Sequence, residues 1–238
     1  GELNANVVLG AQPQPLAPGG VVVLRSQPAP NLRPRAERVD ALELGYRRTL
    51  SSGSVEAVLF HHDYRRLIAP TMGQPDPISS APLLVQPLYR SYFANACTTG
   101  LELAADINLT ATLRLQGSYT VLDTKARRYL DPAADAAGVA MEGAAPKHWA
   151  SLHALWSPGG GHEFDLMLRR VGEVSAGNVP AYTSVDARYG WHLGRAFELA
   201  VIGQNLFDNR HLEYASDFFA SQLSYQPRRG YIQGLWRF

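Results

Sequence analysis

Four places along the chain set guanidinium groups beside phenol rings. Arg65-Arg66 follow Tyr64, Tyr89-Arg90 precede Tyr92, Arg127-Arg128 precede Tyr129, and Arg210-His211 precede Tyr214. Arg33, Arg35, Arg228, Arg229 and Tyr225 fall in similar company. The chemistry such groups do is binding rather than bond making. A guanidinium grips anionic oxygens through fixed, paired donors, and an aromatic face stacks on planar rings or cations. Twenty Arg against two Lys strengthen that reading, since Lys would serve as well for general solubility. The candidate ligand-binding residues are therefore Arg65, Arg66, Tyr89, Arg90, Tyr92, Arg127, Arg128, Tyr129, Arg210, His211 and Tyr214. Taken singly, each arginine equally suits an anionic lipid head group or open solvent. His211 offers one nitrogen to a haem iron, and one histidine alone does not make a haem site.

No catalytic constellation accompanies them. His61 and His62 are adjacent, so on a strand they face opposite ways, and His148 and His153 differ by an odd number and also diverge. Neither pair reads as a metal site. Gly159-Gly160-Gly161 is a flexible turn, because no helix follows to cradle a phosphate. Asn108-Leu109-Thr110 matches a glycosylation sequon but reads as a turn. Met72, Met141 and Met167 are scattered, no Gly-x-Ser-x-Gly elbow occurs, and the single Cys97 excludes an internal disulfide. The expectation is a protein that is no enzyme, with no catalytic residue, no metal and no cofactor.

The chain has 238 residues and a net charge of +1, which gives no electrostatic reason to expect nucleic acid. Charged residues are 18%, below the roughly 25% of soluble domains. No apolar run approaches the ~18 residues of a spanning helix. The chain opens on Gly1-Glu2-Leu3-Asn4, without a signal peptide or initiator Met, and is expected to be a fragment or a trimmed chain.

The elements that must position these residues are strands, because the dominant period is two. Leu101, Leu103, Ala105, Ile107 and Leu109 alternate with Glu102, Ala104, Asp106 and Asn108. Leu113, Leu115, Gly117, Tyr119 and Val121 alternate with Arg114, Gln116, Ser118 and Thr120. Side chains alternate across a strand, so each segment has one apolar and one polar face. The same pattern gives nine strands: 38–49, 55–68, 90–107, 111–125, 147–157, 162–174, 181–192, 196–207 and 229–238. Long loops are expected at 69–89, 126–146 and 208–228, a shorter one at 175–180, and tight turns at the other connections. Residues 1–37, rich in Pro, are expected to be a loop region, partly extended and extracellular.

In an antiparallel meander alternate connections lie at opposite ends, so the long loops share one end and the tight turns the other. Outer-membrane barrels have this asymmetry, and their strands need about 9–11 residues to cross. Charges such as Glu43, Arg47, Asp106, Arg114, Glu163, Asp165, Arg169, Asp186, Arg188 and Glu198 keep to the polar faces. One ionised group at mid-depth on a lipid face costs roughly 2–4 kcal/mol. A soluble sandwich is the competing fold, but its strands average nearer ~5–6 residues. An odd number of antiparallel strands cannot close correctly, so further strands are expected before Gly1.

Several pieces resemble the C-terminal part of a TonB-dependent outer-membrane receptor of the ferric siderophore type. Pro30-Asn31-Leu32-Arg33-Pro34, running into Glu37 and Glu43-Leu44-Gly45-Tyr46, is similar to the family's Asn-Leu-x-Pro-Glu loop and Glu-x-Gly-Tyr strand, with Arg35-Ala36 inserted. Gly100-Leu101-Glu102, Tyr182 to Arg188, and Asn205-Leu206-Phe207-Asp208 resemble later strands of the family. Trp236 and the terminal Phe238 resemble the signal read by the barrel-assembly machinery, with Gly234 one place from its usual glycine.

The resemblance covers about residues 28–238. It implies an all-β fold: an antiparallel up-and-down meander of about nine long strands, part of a transmembrane β-barrel. That barrel is incomplete here, a roughly 22-stranded barrel in the family. Residues 38–238 would be its C-terminal segment. The implied function is energy-coupled uptake of a ferric siderophore or a similar small, scarce nutrient across the outer membrane of a Gram-negative bacterium. The implied partners are that ligand, outer-membrane lipid, the barrel-assembly machinery, and the TonB complex acting through an N-terminal part not in this chain. A passive porin or diffusion channel is the alternative.

Overall fold

The computed structural model describes residues 7–13, 21–28, 35–74, 76–78, 83–128, 141–194, 196–215 and 222–238. Fourteen strands run in chain order: β1 (Val7–Pro13), β2 (Val21–Pro28), β3 (Arg38–Leu50), β4 (Gly53–Met72), β5 (Asp76–Ile78), β6 (Leu83–Asn108) and β7 (Leu113–Arg128). The series continues with β8 (His148–Gly159), β9 (His162–Val171), β10 (Tyr182–Leu193), β11 (Phe197–Gln204), β12 (Arg210–Tyr214), β13 (Ser224–Pro227) and β14 (Arg229–Trp236). Nine of them, β3-β4-β6-β7-β8-β9-β10-β11-β14, form one antiparallel meander in which each strand pairs with the next. These are the nine strands read from the period-two pattern. No described helix is long and apolar enough to cross a membrane, which says nothing of a crossing made by strands.

Register keeps every apolar set on one face. Leu44 pairs with Leu59, Leu59 with Leu101, and Leu101 with Val121. Nearer the tight turns, Leu113 pairs with Trp156, Trp156 with Phe164, Phe164 with Tyr189, Tyr189 with Val201, and Val201 with Ile232. A one-residue slip would throw all of these to the opposite face, so the pattern fixes the pairing. Trp156 stacks on Phe164 at 5.1 Å between ring centroids, and His162 stacks on Trp191 at 5.8 Å. Rings near a strand end, on an apolar face, suit a membrane–water boundary.

No second layer covers that face among the described residues. Leu44 is 71% exposed, Leu166 49% and Ile232 71%. The buried apolar side chains are few and mostly small, Ala94, Ala96 and Ala200 among them. Soluble domains bury such a face against another layer; this sheet presents it bare, as a wall against hydrocarbon would.

The tight turns hold the strand ends close. Gly53 opens β4 where an added Cβ would lie 1.9 Å from the Asp106 carbonyl oxygen, so only glycine fits. Gly100 plays the same part in mid-sheet, where a Cβ would meet Phe60 at 2.4 Å.

The long-loop end is more ordered than expected. β4 runs on to Met72 and β6 begins at Leu83, so most of the expected loop 69–89 is strand, and Tyr89 and Arg90 sit on β6. β5 returns along β6, and β2 pairs with Leu83–Arg90 of β6 in parallel. β1 and β2 thus form strands within the stretch expected as loop. The expected loop 208–228 carries the β12–β13 hairpin. The cause is common to all three. Each segment gains its ladder from a partner strand, near in sequence for β5–β6 and β12–β13 and about sixty positions away for β2–β6, and the period of one segment alone does not report a partner.

The bare apolar face yields a test. Leu166→Arg places a charge in the middle of β9 on that face and should cost the folded barrel about 2–4 kcal/mol. Met167→Arg, one residue on and on the polar face, should cost far less. Urea unfolding of the full-length protein in lipid vesicles, followed by tryptophan fluorescence, compares the two.

Candidate binding wall and outer rim

The polar face carries its charges in pairs. Arg114 on β7 forms a forked ion pair with Asp106 on β6, and Gln116 donates to the same carboxylate at 3.2 Å. Arg169 on β9 reaches Asp186 on β10 at 3.0 Å. Arg188 donates to Glu163 at 3.0 Å, to Asp165 at 3.1 Å and to Glu198, joining β9, β10 and β11. His192 sits 3.1 Å from Glu163 and 3.9 Å from Glu198. Glu163, His192 and Glu198 thereby bring one donor atom each within 4.8 Å, a grouping that the sequence reading did not find. Arg188 already holds both glutamates, so the trio is an ion-pair network.

Toward the long-loop end this wall becomes a polar knot. Asn205, fully buried, adopts a left-handed conformation (φ 50°) just beyond β11. Its backbone N–H donates to Asp186 at 2.8 Å, and its side-chain amide donates to the Gln226 carbonyl at 3.0 Å. Those two bonds fasten the β12–β13 hairpin to the wall. His211, 7% exposed, stacks on Tyr182 at 4.0 Å between centroids and meets Glu213 at 3.2 Å. Arg210 lies over the Tyr225 ring at 4.9 Å. Beside them is a hollow of about 620 Å³ lined by Tyr182, Phe207, Arg210, His211, Leu212 and Tyr225, among others.

The structure distributes the candidate residues unevenly. It brings Arg210 and His211 to one hollow, with the exposed Tyr214 at the end of the same strand. Arg65 lies elsewhere: it bonds Asp63 at 2.9 Å and lies 3.6 Å from Asp40, alongside the Arg38–Asp40 pair. Arg66 takes up a bulge (φ 59°), and its backbone N–H donates to Asn95 at 3.0 Å. Tyr89 and Tyr92 are half-buried on β6. Arg90 pairs through its backbone with Pro28 and Pro70, and Arg127 and Arg128 pair with Asn95 and Ala94. Tyr129 lies outside the described residues. Trp236 ends β14 opposite Phe197, and Phe238 follows it, fully exposed. His61 meets Thr99 while His62 meets Glu43, on opposite faces of β4.

Sequence reasoning missed Tyr182, Asn205, Asp186 and Gln226 as parts of one assembly. A signal was present: Ser184, Asp186 and Arg188 alternate along a polar face. Nothing local, however, says that Gln226 returns to meet Asn205.

A single-layer antiparallel sheet, apolar on one face and ion-paired on the other, with tight turns at one end, is the wall of a membrane β-barrel. The family model described as "TonB dependent receptor-like, beta-barrel" matches residues 2–206, and the chain belongs to that family. Among solved structures it is similar to the ferric-catecholate import receptor Fiu of E. coli K12, at 16% identity and a TM-score of 0.61, covering 83% of this chain and 27% of that one. It is also similar to the ferric yersiniabactin uptake receptor FyuA of Yersinia pestis, at 17% identity and a TM-score of 0.61, covering 85% and 30%. The copper transporter OprC matches at 15% identity and a TM-score of 0.57, covering 85% and 32%. The chain thus spans about a third of the length of these structures. No curated protein sequence matches it.

The wall's networks predict their own weak point. Arg188→Met leaves Glu163, Asp165 and Glu198 facing one another half-buried, and should destabilise the barrel by about 1–2 kcal/mol, less than a fully buried pair because solvent screens the site. Arg114→Met, on a more exposed pair that solvent screens, should shift the unfolding midpoint less than Arg188→Met. Denaturant midpoints of the two full-length variants make the comparison.

Proposed function

We propose that the intact protein is an outer-membrane receptor of a Gram-negative bacterium that captures a ferric siderophore or a similar scarce nutrient and takes it up with energy delivered by TonB. The observation that carries this reading is the family match across residues 2–206, joined to a single-layer sheet apolar on one face and ion-paired on the other. A passive channel is disfavoured by the same match. Similarity to receptors whose names specify ferric-catecholate and ferric yersiniabactin supports an anionic iron chelate as the ligand class.

In this reading the tight turns face the periplasm and the long-loop end faces outward. Arg210 and Tyr225 supply charge and a ring at the outer rim, the chemistry a planar anionic chelate requires. Arg66, Tyr89, Arg90, Tyr92, Arg127, Arg128 and Tyr214 belong to the same outer region, and His211 serves by holding the hairpin that carries Arg210. Arg65, tied to Asp63 and Asp40, contributes least. The TonB complex acts on parts of the receptor beyond this chain. Trp236 and Phe238 are the residues offered to the barrel-assembly machinery.

Uptake of radiolabelled ferric chelates by iron-limited cells tests the proposal. Arg210→Ala and Tyr225→Ala should each raise the half-saturating concentration about tenfold, the loss of ~1.4 kcal/mol of binding, at unchanged receptor level in the membrane. Equal uptake by cells with and without the gene, across a chelate panel, defeats the reading. Planar-bilayer recordings of the full-length protein should be nearly silent; a steady open pore would instead establish the passive channel.

A further inference from the structure

The apolar face is not uniformly filled. Between β3 and β7, nearer the tight turns, it carries a hollow of about 450 Å³. Its floor is small, made by Ala57, Ala105 and Gly117, and its walls are Tyr46, Leu103 and Tyr119. Register places all six on the apolar face: Tyr46 pairs with Ala57, Ala57 with Leu103, Leu103 with Tyr119, and Ala105 with Gly117. An added Cβ on Gly117 would meet nothing closer than 3.8 Å, so the space is open.

A charge stands at the foot of this hollow. Arg48 pairs with Val55, another lining residue, and so shares the apolar face. It lies two residues from Tyr46 toward the turn, about 7 Å along the strand. Arg48 is exposed and makes no ion pair or side-chain hydrogen bond among the described residues, unlike Arg38, Arg65, Arg114, Arg169 and Arg188. Its neighbour Arg47 faces the other way, opposite Glu56.

We propose that this is a seat for one phospholipid of the inner, periplasmic leaflet, with its phosphate on Arg48 and an acyl chain laid across Ala57, Ala105 and Gly117. The inference rests on the outer-membrane placement proposed above. Burial from water does not select such a lipid, since the surrounding chains are equally apolar. What selects it is contact. A hollow with no atoms on one side forfeits dispersion along its whole lining, and a chain held by its head group fills it. The guanidinium adds forked donors matched to phosphate oxygens. The place at the tight-turn end commits the head group to the periplasmic leaflet, away from the outer leaflet and its lipopolysaccharide.

Full-length receptor reconstituted in nanodiscs of phosphatidylethanolamine and phosphatidylglycerol, extracted into mild detergent and weighed by native mass spectrometry, tests the seat. The wild type should retain one phospholipid. Arg48→Gln and Gly117→Val should each lower the retained fraction at least fivefold, the first by removing the anchor and the second by filling the floor. Arg47→Gln, at the same height on the other face, should leave it unchanged. Equal retention by all four proteins overturns the seat, as does retention of lipopolysaccharide alone when both lipids are offered. Failure of the wild type to enter nanodiscs at all would instead overturn the membrane placement on which the seat depends.

Discussion

Hydrocarbon offers no partner to a peptide N–H or C=O, so a chain that crosses it as strands must satisfy every backbone group within the sheet. The rest of this structure follows from that. The meander is continuous from β3 to β14, with each strand bonded to the next. Its bulges lie where the sheet leaves the apolar band: between Tyr64 and Ala69 on β4, and between Trp156 and Gly159 at a tight turn. The two outer strands, β3 and β14, each pair on one side only among the described residues. A wall of this kind is stable as part of a closed ring, where both edges find partners.

The same constraint divides the side chains. One face meets apolar solvent and carries Leu, Val, Trp and Phe in the open. The other is polar, and its charges neutralise one another in short cross-strand networks. Arg188 illustrates the economy. One planar cation on β10 serves three carboxylates from the two flanking strands, so it ties β9, β10 and β11 together while lowering the net charge of the wall. Arg114 and Arg169 do the same between pairs of strands. Arginines used this way are spent on structure.

Legibility in the sequence followed the same division. Within the band, Leu101 to Leu109 and Leu113 to Val121 announce their faces by strict alternation, because a slip there would put charge in lipid. Beyond the band the penalty vanishes, and so does the pattern. Leu83-Leu84-Val85-Gln86-Pro87 shows no alternation, yet it is strand, held by β2 on one side and, at Leu83–Val85, by β5 on the other. The parallel β2–β6 pairing joins segments about sixty positions apart, and the β12–β13 hairpin is fixed by Asn205 reaching Gln226. Such contacts leave no local trace. The ion pair of Arg65 was more legible. Asp63 two residues earlier shares its face on a strand, and that spacing alone announces an ion pair.

The hairpin joins these themes. Asn205 leaves the sheet in a left-handed turn at the point where β11 stops pairing, so the break in the ladder is also the place where the chain turns onto the polar wall. Asp186 accepts both the Asn205 backbone N–H and the Arg169 guanidinium. One carboxylate therefore caps the broken strand end and anchors the neighbouring wall. His211 then packs flat on Tyr182, burying one face of the hairpin and turning Arg210 and Tyr225 outward. A rim built this way is rigid at its base and open at its tip. Loops placed on rigid scaffolds can vary in composition without disturbing the strands beneath them. The wall is thus answerable to the membrane, and the rim is free of that constraint.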